Sequence, residues 1–263
     1  MTARERVLVV VPTRGERLDY LAACLRSVTS QSGVDVRCVV VSSPSDAVQE
    51  LGSRLGASVV PESGRGISAA INQGWQRFGD EADYWAWLGD DDLLAPGSLS
   101  ATTAALRSAP RASMAYGPCA FVDAEDSALF VATPGRIGAH LLGVGPNLVP
   151  QPGSLQRAAA VRRVGYLDET LKYAMDLDLF LRLRTAGPLR YVPRTLAAFR
   201  WHEGSTTVAA FEASGREAAD VRRRNARNLF AHRLASRAVR SPANRYQEWQ
   251  KRPSTLRVAS WGA

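Results

Sequence analysis

Short apolar runs alternate with stretches of helical spacing through the first third of this chain, and this alternation constrains its fold more than any other feature. Runs rich in β-branched or aromatic residues predict buried strands at 7–11, 34–41, 59–60 and 84–88. Between them, apolar residues recur at the spacing of one helix face, at 18–28, 44–55 and 67–79. Strands separated by helices in this rhythm predict an α/β fold with a mostly parallel, Rossmann-like sheet flanked by helices.

Polar residues stand where the predicted strands end. Pro12, Thr13 and Arg14 follow the first strand, Ser42 follows the second, and the acidic triplet 90–92 follows the fourth. Ligands of parallel sheets bind beyond the carboxyl ends of the strands. These residues are therefore expected to converge on one crevice.

The second half of the chain has a different organisation. Residues 110–155 combine short apolar runs with many Gly and Pro, which predicts a mixed sheet or a lid. A helix is expected over 175–184, a strand over 196–201, and basic helices from about residue 211 onward.

The net charge of +8 is concentrated at the C-terminal end of the 263-residue chain. Residues 211–263 carry 12 of the 33 Lys and Arg but 4 of the 25 Asp and Glu, so the remainder is neutral. We therefore predict one domain over 1–207 and a basic helical extension over 208–263. The extension is either a solvated helical face or a surface for peripheral contact with anionic lipid or a partner. Because the body is neutral, a nucleic-acid-binding function is not expected.

Cysteine usage and hydropathy predict a cytoplasmic protein. Cys24, Cys38 and Cys119 are odd in number and widely spaced, which favours a reducing compartment over a disulfide framework. The apolar runs are too short for a signal peptide or a membrane span. Any membrane contact is expected at the inner face, through the basic extension.

Asp90, Asp91 and Asp92 are the most informative residues of the chain. Three adjacent carboxylates directly after an apolar strand repel one another, and a bound divalent cation would remove that cost. Hard oxygen ligands favour Mg²⁺ or Mn²⁺, and such a cation stabilises a departing nucleoside diphosphate as a Lewis acid. The alternative is an exposed acidic turn that caps the next helix.

Two further groups of residues carry candidate chemistry. Asp176 and Asp178 stand at the start of a predicted helix, where Asp176 is a candidate general base for an acceptor hydroxyl. The alternative is that the two acids cap this helix and compensate its dipole. Arg200 and His202 are candidates for contact with phosphate and cation, and their alternatives are a salt-bridge arginine and a surface or core histidine.

The order of these motifs resembles the inverting family 2 glycosyltransferases of GT-A fold over roughly residues 6–207. The likeness rests on six segments in family order: 10–14 with 24–32, 65–74, 87–92 with Pro96, 151–154, 164–169 with the helix of Asp176, and 200–205. Any one segment is a weak signal, and their order and spacing make the resemblance specific.

The resemblance implies an activity and its ligands. A hexosyltransferase-like enzyme would transfer a sugar from a nucleotide-diphosphate sugar, a UDP- or dTDP-sugar, to an acceptor hydroxyl with inversion. The implied cofactor is Mn²⁺ or Mg²⁺. The acceptor would be a glycan, a lipid-linked sugar or another glycoconjugate, which places the activity in polysaccharide or glycoconjugate biosynthesis.

The resemblance also implies roles for individual residues. The predicted nucleotide contacts are Pro12, Thr13, Arg14, Ser42, Arg65, Asn72, Asp90 and Arg200. The predicted metal ligands are Asp91, Asp92 and His202, and Asp176 is the predicted catalytic base. Counting back from Pro96 favours Asp91 as the direct ligand, whereas strand alternation would group Asp90 with Asp92, so the choice within the triplet stays open.

The chain departs from the family pattern where an acid is common, at Ser42-Ser43, Gly64, Ala69 and Gly89. These departures bear on the donor nucleotide rather than on the phosphate chemistry. One alternative function is nucleotide-sugar binding without transfer. Another is nucleotidyl transfer, which usually requires a Gly-rich loop with a lysine, whereas lysine occurs here only at 172 and 251.

Overall fold

The computed structural model describes residues 4–201, 211–226, 236, 238, 256, 258 and 260–262. In the first half, strands and helices alternate as the sequence predicts. The elements there are β1 (Arg6–Thr13), α1 (Leu18–Thr29), β2 (Asp35–Ser42), α2 (Asp46–Arg54), β3 (Ser58–Pro61), α3 (Ile67–Phe78), β4 (Tyr84–Trp87), β5 (Leu93–Leu94) and α4 (Ser98–Arg107). The second half contains β6 (Met114–Tyr116), β7 (Cys119–Val122), β8 (Ala128–Ala132), α5 (Ile137–Leu141), β9 (Leu155–Arg157), α6 (Ala158–Val164), α7 (Met175–Ala186), β10 (Leu189–Tyr191), β11 (Ala197–Arg200) and α8 (Phe211–Arg224).

A seven-stranded sheet forms the centre of the fold, in the order β10-β6-β9-β4-β1-β2-β3. Strands β4, β1, β2 and β3 run parallel, and β6 is parallel to β10. Strand β9 is antiparallel to both of its neighbours, β4 and β6. The predicted α/β class with a mostly parallel sheet is confirmed.

Strand β1 is buried on both faces, which is why its sequence is a continuous apolar run. Val7, Val9 and Val11 lie in one apolar cluster with α1 and α2, whereas Leu8 and Val10 lie in another with α3 and α7. Successive side chains of a strand point to opposite faces, so this central strand joins two helical layers. Each of the five is at most 1% exposed, and burying such a side chain contributes about 1.5–3 kcal/mol.

A smaller sheet follows the acidic triplet and has the order β5-β11-β7-β8. Strand β5 begins at Leu93, directly after Asp92, and pairs with β11, which ends at Arg200. The mixed sheet predicted for 110–155 is confirmed, because this range supplies β7 and β8 here and β6 to the larger sheet. The smaller sheet thus brings Arg200 next to the triplet.

The described parts of the C-terminal region pack against the body. Val221 of α8 is buried, and Arg26 of α1 donates to the carbonyl oxygen of Gly262 at 3.2 Å. The predicted domain boundary at 207/208 falls within 202–210, outside the described residues. Among the described helices, none combines the length and apolar character that crossing a membrane requires.

Candidate functional site

The acidic triplet forms a tight turn at the carboxyl end of β4. The backbone N–H of Asp92 donates to the carbonyl oxygen of Gly89 at 3.1 Å, which closes the turn. The Cys24 thiol on α1 donates to the same oxygen at 3.3 Å. Leu88 still pairs with Val10 of β1 (3.0 Å), so the turn begins directly after the sheet ends. The carboxylates are therefore held at the sheet edge by backbone contacts.

The end of β1 meets this turn, as the sequence predicts. The Thr13 hydroxyl donates to Asp90 Oδ2 at 2.5 Å and accepts the N–H of Gly15 at 2.9 Å. Thr13 also pairs in register with Ser42 at the end of β2. The structure therefore brings three strand ends together, although Ser42 itself is 2% exposed and lies beneath the surface.

Arg17 is a site residue that the sequence analysis missed. Its Nη2 lies 3.1 Å from Asp91 Oδ2 and 3.7 Å from Asp90 Oδ1, so it spans two carboxylates of the turn. Arg17 directly precedes α1 and follows the β1 loop. Its place just past a strand end, opposite an acidic turn, was the signal that could have identified it.

Asp91 and Asp92 border a small space above Gly89. A Cβ at position 89 would lie 2.9 Å from Asp91 Oδ1 and 2.9 Å from Asp92 Oδ2, so a larger residue there would displace these carboxylates. Two carboxylate oxygens around one space suit Mg²⁺ or Mn²⁺, which take their other ligands from phosphate and water. No group of three potential metal-binding side chains occurs within the described ranges. His202 lies outside those ranges, so its predicted part in the metal site stays a prediction.

The turn brings three carboxylates together where burial limits their hydration. Burial raises the pKa of Asp92 well above its usual range, and the neighbouring Asp91 raises it further. Burial also raises the pKa of Asp90, although the hydrogen bond from Thr13 opposes this shift. Asp92 Oδ1 accepts the backbone N–H of Arg200 at 3.2 Å, which fixes its orientation.

Arg200 does not have the role in donor binding that the sequence analysis gave it. Its side chain is 1% exposed, so it offers no surface to a diphosphate. Its Nε donates to Asp126 at 3.0 Å, its Nη1 donates to the carbonyl oxygen of Asp91, and its guanidinium lies 4.1 Å from the centre of the Tyr20 ring. Arg200 is thus the salt-bridge arginine of the alternative interpretation. Its hydrogen bonds to Asp91 and Asp92 stabilise the turn formed by residues 90–92, called the acid turn below.

Replacing Arg200 by Met is expected to lower the free energy of unfolding by about 3–5 kcal/mol, because it leaves the acidic side of a largely buried ion pair without its partner. Chemical denaturation measures the loss. The matched control is Arg223→Ala, which removes an exposed pair with Asp220 and should cost at most about 1 kcal/mol. Equal losses in the two variants would contradict the structural role of Arg200.

Asn72 is also committed to the fold rather than to a ligand. Both of its amide hydrogens are used, at 2.9 Å each, by the Leu167 carbonyl oxygen and by Glu169, and its Oδ1 accepts the Leu167 N–H at 3.0 Å. The side chain is 3% exposed. In place of the predicted nucleotide contact, Asn72 links α3 to the loop that precedes α7.

The remaining predicted nucleotide contacts differ in exposure. Pro12 is buried, whereas Arg14 and Arg65 are exposed. Arg14 directly follows β1, and Arg65 lies just before α3, whose first residue is Ile67. Their contact with a nucleotide stays a prediction.

Asp176 lies in the first turn of α7, in a partly buried position. Asn147, a residue the sequence analysis missed, donates to Asp176 Oδ2 at 3.1 Å. Burial is the largest influence and raises the pKa of Asp176 to about 6, while hydrogen bonds from the Leu177 backbone and Asn147 and the charge of Arg222 oppose the rise. A carboxylate with such a pKa is suited to accept a proton near neutral pH.

Asp178 has a structural task. Its carboxylate, 2% exposed, accepts hydrogen bonds from Arg182 (2.8 Å), Arg224 (2.8 Å) and Asn225 (3.2 Å). The bond from Arg224 joins α7 to α8. Helix α7 has no side-chain cap at its N-terminus; instead Glu217 of α8 accepts the N–H groups of residues 172–174 at 2.6–2.9 Å.

Comparison with known proteins places this geometry in a family. The family described as Glycosyl transferase family 2 matches residues 8–128, the segment that holds β1, α3 and the acid turn. The structure of S. aureus TarS 1–349 in complex with UDP-GlcNAc superposes with a TM-score of 0.63 at 14% identity, covering 88% of this chain and 70% of that chain. The mannosyltransferase PcManGT from Pyrobaculum calidifontis, in complex with GDP-Man and Mn²⁺, gives 0.58 at 15% identity, covering 90% and 76%. The chain thus has the GT-A fold, and its residues 8–128 match glycosyltransferase family 2.

Two curated relatives of this chain carry different names. A phosphoenolpyruvate guanylyltransferase of Rubrobacter xylanophilus is 30% identical over 202 residues, which cover 73% of this chain and 92% of that protein. An uncharacterized glycosyltransferase of Rickettsia typhi is 23% identical over 217 residues, covering 78% of this chain and 66% of that protein. The solved structures share the GT-A fold of this chain, and the match of residues 8–128 to glycosyltransferase family 2 supports nucleotide-sugar transfer as its class of chemistry.

Proposed function

We propose that this chain is a glycosyltransferase that moves a sugar from a nucleotide-diphosphate sugar to an acceptor hydroxyl with inversion, and that Asp176 is the base. The observation that carries the proposal is the environment of Asp176. Its carboxylate is partly buried, is held by Asn147, and has a pKa of about 6. A positioned carboxylate with this pKa is ionised at neutral pH and can still accept a proton.

The steps follow from these residues. Asp176 takes the proton of the acceptor hydroxyl as its oxygen forms a bond to the anomeric carbon of the donor sugar. The bond from that carbon to the diphosphate oxygen breaks, and the nucleoside diphosphate leaves from the opposite face, which inverts the configuration. Asp176 fixes the direction of attack, so part of the rate gain comes from orientation.

The leaving diphosphate is assigned to the acid turn. Asp91 and Asp92 would hold a Mn²⁺ or Mg²⁺ ion, which supplies Lewis-acid stabilisation of the departing charge. The Thr13 hydroxyl, 2.5 Å from Asp90 Oδ2, orients the Asp90 carboxylate, which is the proposed contact to the ribose. Arg17 brings a positive charge to the same sheet edge. UDP- and dTDP-sugars are the proposed donors, with Arg14 and Arg65 as nucleotide contacts.

A second candidate function, nucleotidyl transfer, is favoured by the similarity to a guanylyltransferase. The two reactions release different products, nucleoside diphosphate in one and pyrophosphate in the other. Purified protein with Mn²⁺ is therefore tested against UDP-, dTDP- and GDP-sugars and, separately, against GTP with phosphoenolpyruvate. Release of nucleoside diphosphate supports the glycosyltransferase proposal. Release of pyrophosphate without any turnover of sugar nucleotides would replace it.

The pH dependence of turnover should report the ionisation of Asp176. As the base must be ionised, kcat/KM is expected to fall as the pH drops through about 6, the pKa of the buried carboxyl. Asn147→Ala should move this fall to higher pH, because the hydrogen bond from Asn147 stabilises the ionised form. Initial rates at saturating Mn²⁺ across the acid and neutral range measure both profiles. Identical profiles for the two proteins would contradict the assignment.

A further inference from the structure

Arg222 differs from the two arginines that follow it on α8. Arg223 pairs with Asp220 at 2.6 Å, and Arg224 pairs with Asp178 at 2.8 Å and Asp168 at 2.9 Å. Arg222 is partly buried, yet it forms no ion pair with any carboxylate of the described residues. Burial lowers the pKa of its guanidinium, so part of its hydration has been lost. The carboxylate whose charge acts on Arg222 is Asp176, which does not reach ion-pair distance, so the guanidinium can still take a bound anion as a direct partner.

One hydrogen bond fixes the orientation of this guanidinium. Arg222 Nε donates to the carbonyl oxygen of Leu142 at 3.0 Å, which anchors one edge of the group to the loop after α5. Its two Nη groups carry further donors, and they form no hydrogen bond within the described ranges. A planar guanidinium held by one edge can present the other edge to two oxygens of a carboxylate or phosphate.

Arg222 and the proposed base are both bonded to the loop that follows α5. The charge of Arg222 acts on Asp176, and Asn147 of the same loop bonds to Asp176 at 3.1 Å. Asn147 Oδ1 is buried and has no partner among the described residues, so a second unmatched polar atom lies here. Arg184 approaches the same loop, because its Nη1 is 3.6 Å from where a Cβ on Gly143 would stand. The loop between α5 and Asn147 is thus flanked by two guanidinium groups.

The stereochemistry of the proposed reaction indicates which substrate lies near Arg222. In an inverting transfer the acceptor hydroxyl and its base lie on one face of the sugar, and the diphosphate leaves from the other. A cation beside the base is therefore on the acceptor side. We propose that Arg222 binds an anionic group of the acceptor, a carboxylate or a phosphate, next to the hydroxyl that Asp176 deprotonates. The acceptor assignment rests on the proposed function, whereas anion binding by Arg222 does not.

Anion binding is measured on the full-length protein without donor, by titration calorimetry with inorganic phosphate and with glucuronate, and with glucose as the neutral control. Arg222→Gln removes the charge and keeps an N–H donor for the Leu142 carbonyl. It is expected to weaken binding of the anions by about 10-fold or more, the usual worth of a charged hydrogen bond. Arg222→Lys should recover part of the affinity, and Arg223→Gln, the same charge change one residue along, should leave it unchanged. Circular dichroism confirms folding of each variant.

A further variant, Asp91→Asn, separates the acceptor side from the donor side. The proposal expects this variant to bind both anions as the wild type does. Anion affinity that survives in Arg222→Gln, or that is lost only in Asp91→Asn, would overturn the proposal. The proposal would also be overturned if neither anion bound, or if glucose bound as strongly as glucuronate. Sugar-nucleotide turnover is a separate measurement, so its failure would count against the proposed function and not against the anion site.

Discussion

Replacing Asp176 by Asn is expected to lower kcat by about 10²–10⁴-fold while the affinity for the sugar nucleotide stays nearly unchanged. The amide keeps the size of the side chain and cannot accept the acceptor proton. Because Asp176 lies on the acceptor side, removal of its charge leaves the proposed cation site at Asp91 and Asp92 intact. Single-turnover rates and donor titrations measure the two effects separately.

The matched control is Asp178→Asn, the same change two residues along α7. Asp178 is 2% exposed and accepts hydrogen bonds from two arginines, so its variant should lose stability and keep its kcat for each folded molecule. A variant at position 176 that retains wild-type turnover, or a variant at 178 that loses turnover without losing stability, would show that the base has been misassigned.

Replacing Asp91 by Asn is expected to lower turnover by about 10²-fold or more at a fixed Mn²⁺ concentration, since the cation contributes several kcal/mol to stabilisation of the leaving group. The variant should also require a higher Mn²⁺ concentration for half-maximal rate. In the wild type, EDTA should abolish turnover, and Mn²⁺ or Mg²⁺ should restore it.

Asp90→Asn is the control for this experiment, and it also decides between the two groupings of the triplet. Asp90 accepts the hydrogen bond of Thr13, which Asp91 does not, so the Asp90 variant is expected to keep the wild-type dependence on Mn²⁺. If Asp90→Asn raises the Mn²⁺ requirement and Asp91→Asn does not, the direct ligand is Asp90 and the present assignment is wrong.

The parallel half of the fold and the position of the acid turn were predictable because both are encoded locally. A continuous apolar strand such as β1 is recognisable without its partners, and the carboxyl ends of parallel strands necessarily share an edge. The contact between Thr13 and Asp90 follows from that geometry, although 77 positions separate the two residues.

The contacts that decide residue roles were not predictable, because they join distant segments. Arg200 forms an ion pair with Asp126, which lies 74 positions away in a turn between two strands of the smaller sheet. This pairing gives Arg200 a structural role. Asn147 reaches Asp176 from a Gly- and Pro-rich loop that carries no periodic signal. Glu217 lies more than 40 positions from the backbone groups it accepts.

The concentration of positive charge near the C-terminus predicted a surface for lipid or a partner, and the described part of that region has a different use. Arg224 bonds to Asp168 and Asp178, and Arg222 bonds to Leu142 beside the proposed base. A count of charges does not distinguish arginines that face solvent from arginines that hold two helices together. Peripheral membrane contact by the rest of the region stays a prediction.

The most direct test of this account is a crystal structure of the full chain with Mn²⁺ and a sugar nucleotide that raises its melting temperature. We expect an anomalous manganese signal within coordination distance of carboxylate oxygens of Asp91 and Asp92, with the diphosphate bound to the same ion and the anomeric carbon facing Asp176. A nucleotide bound elsewhere, or bound at the turn with no ion between its phosphates and these two acids, would contradict it.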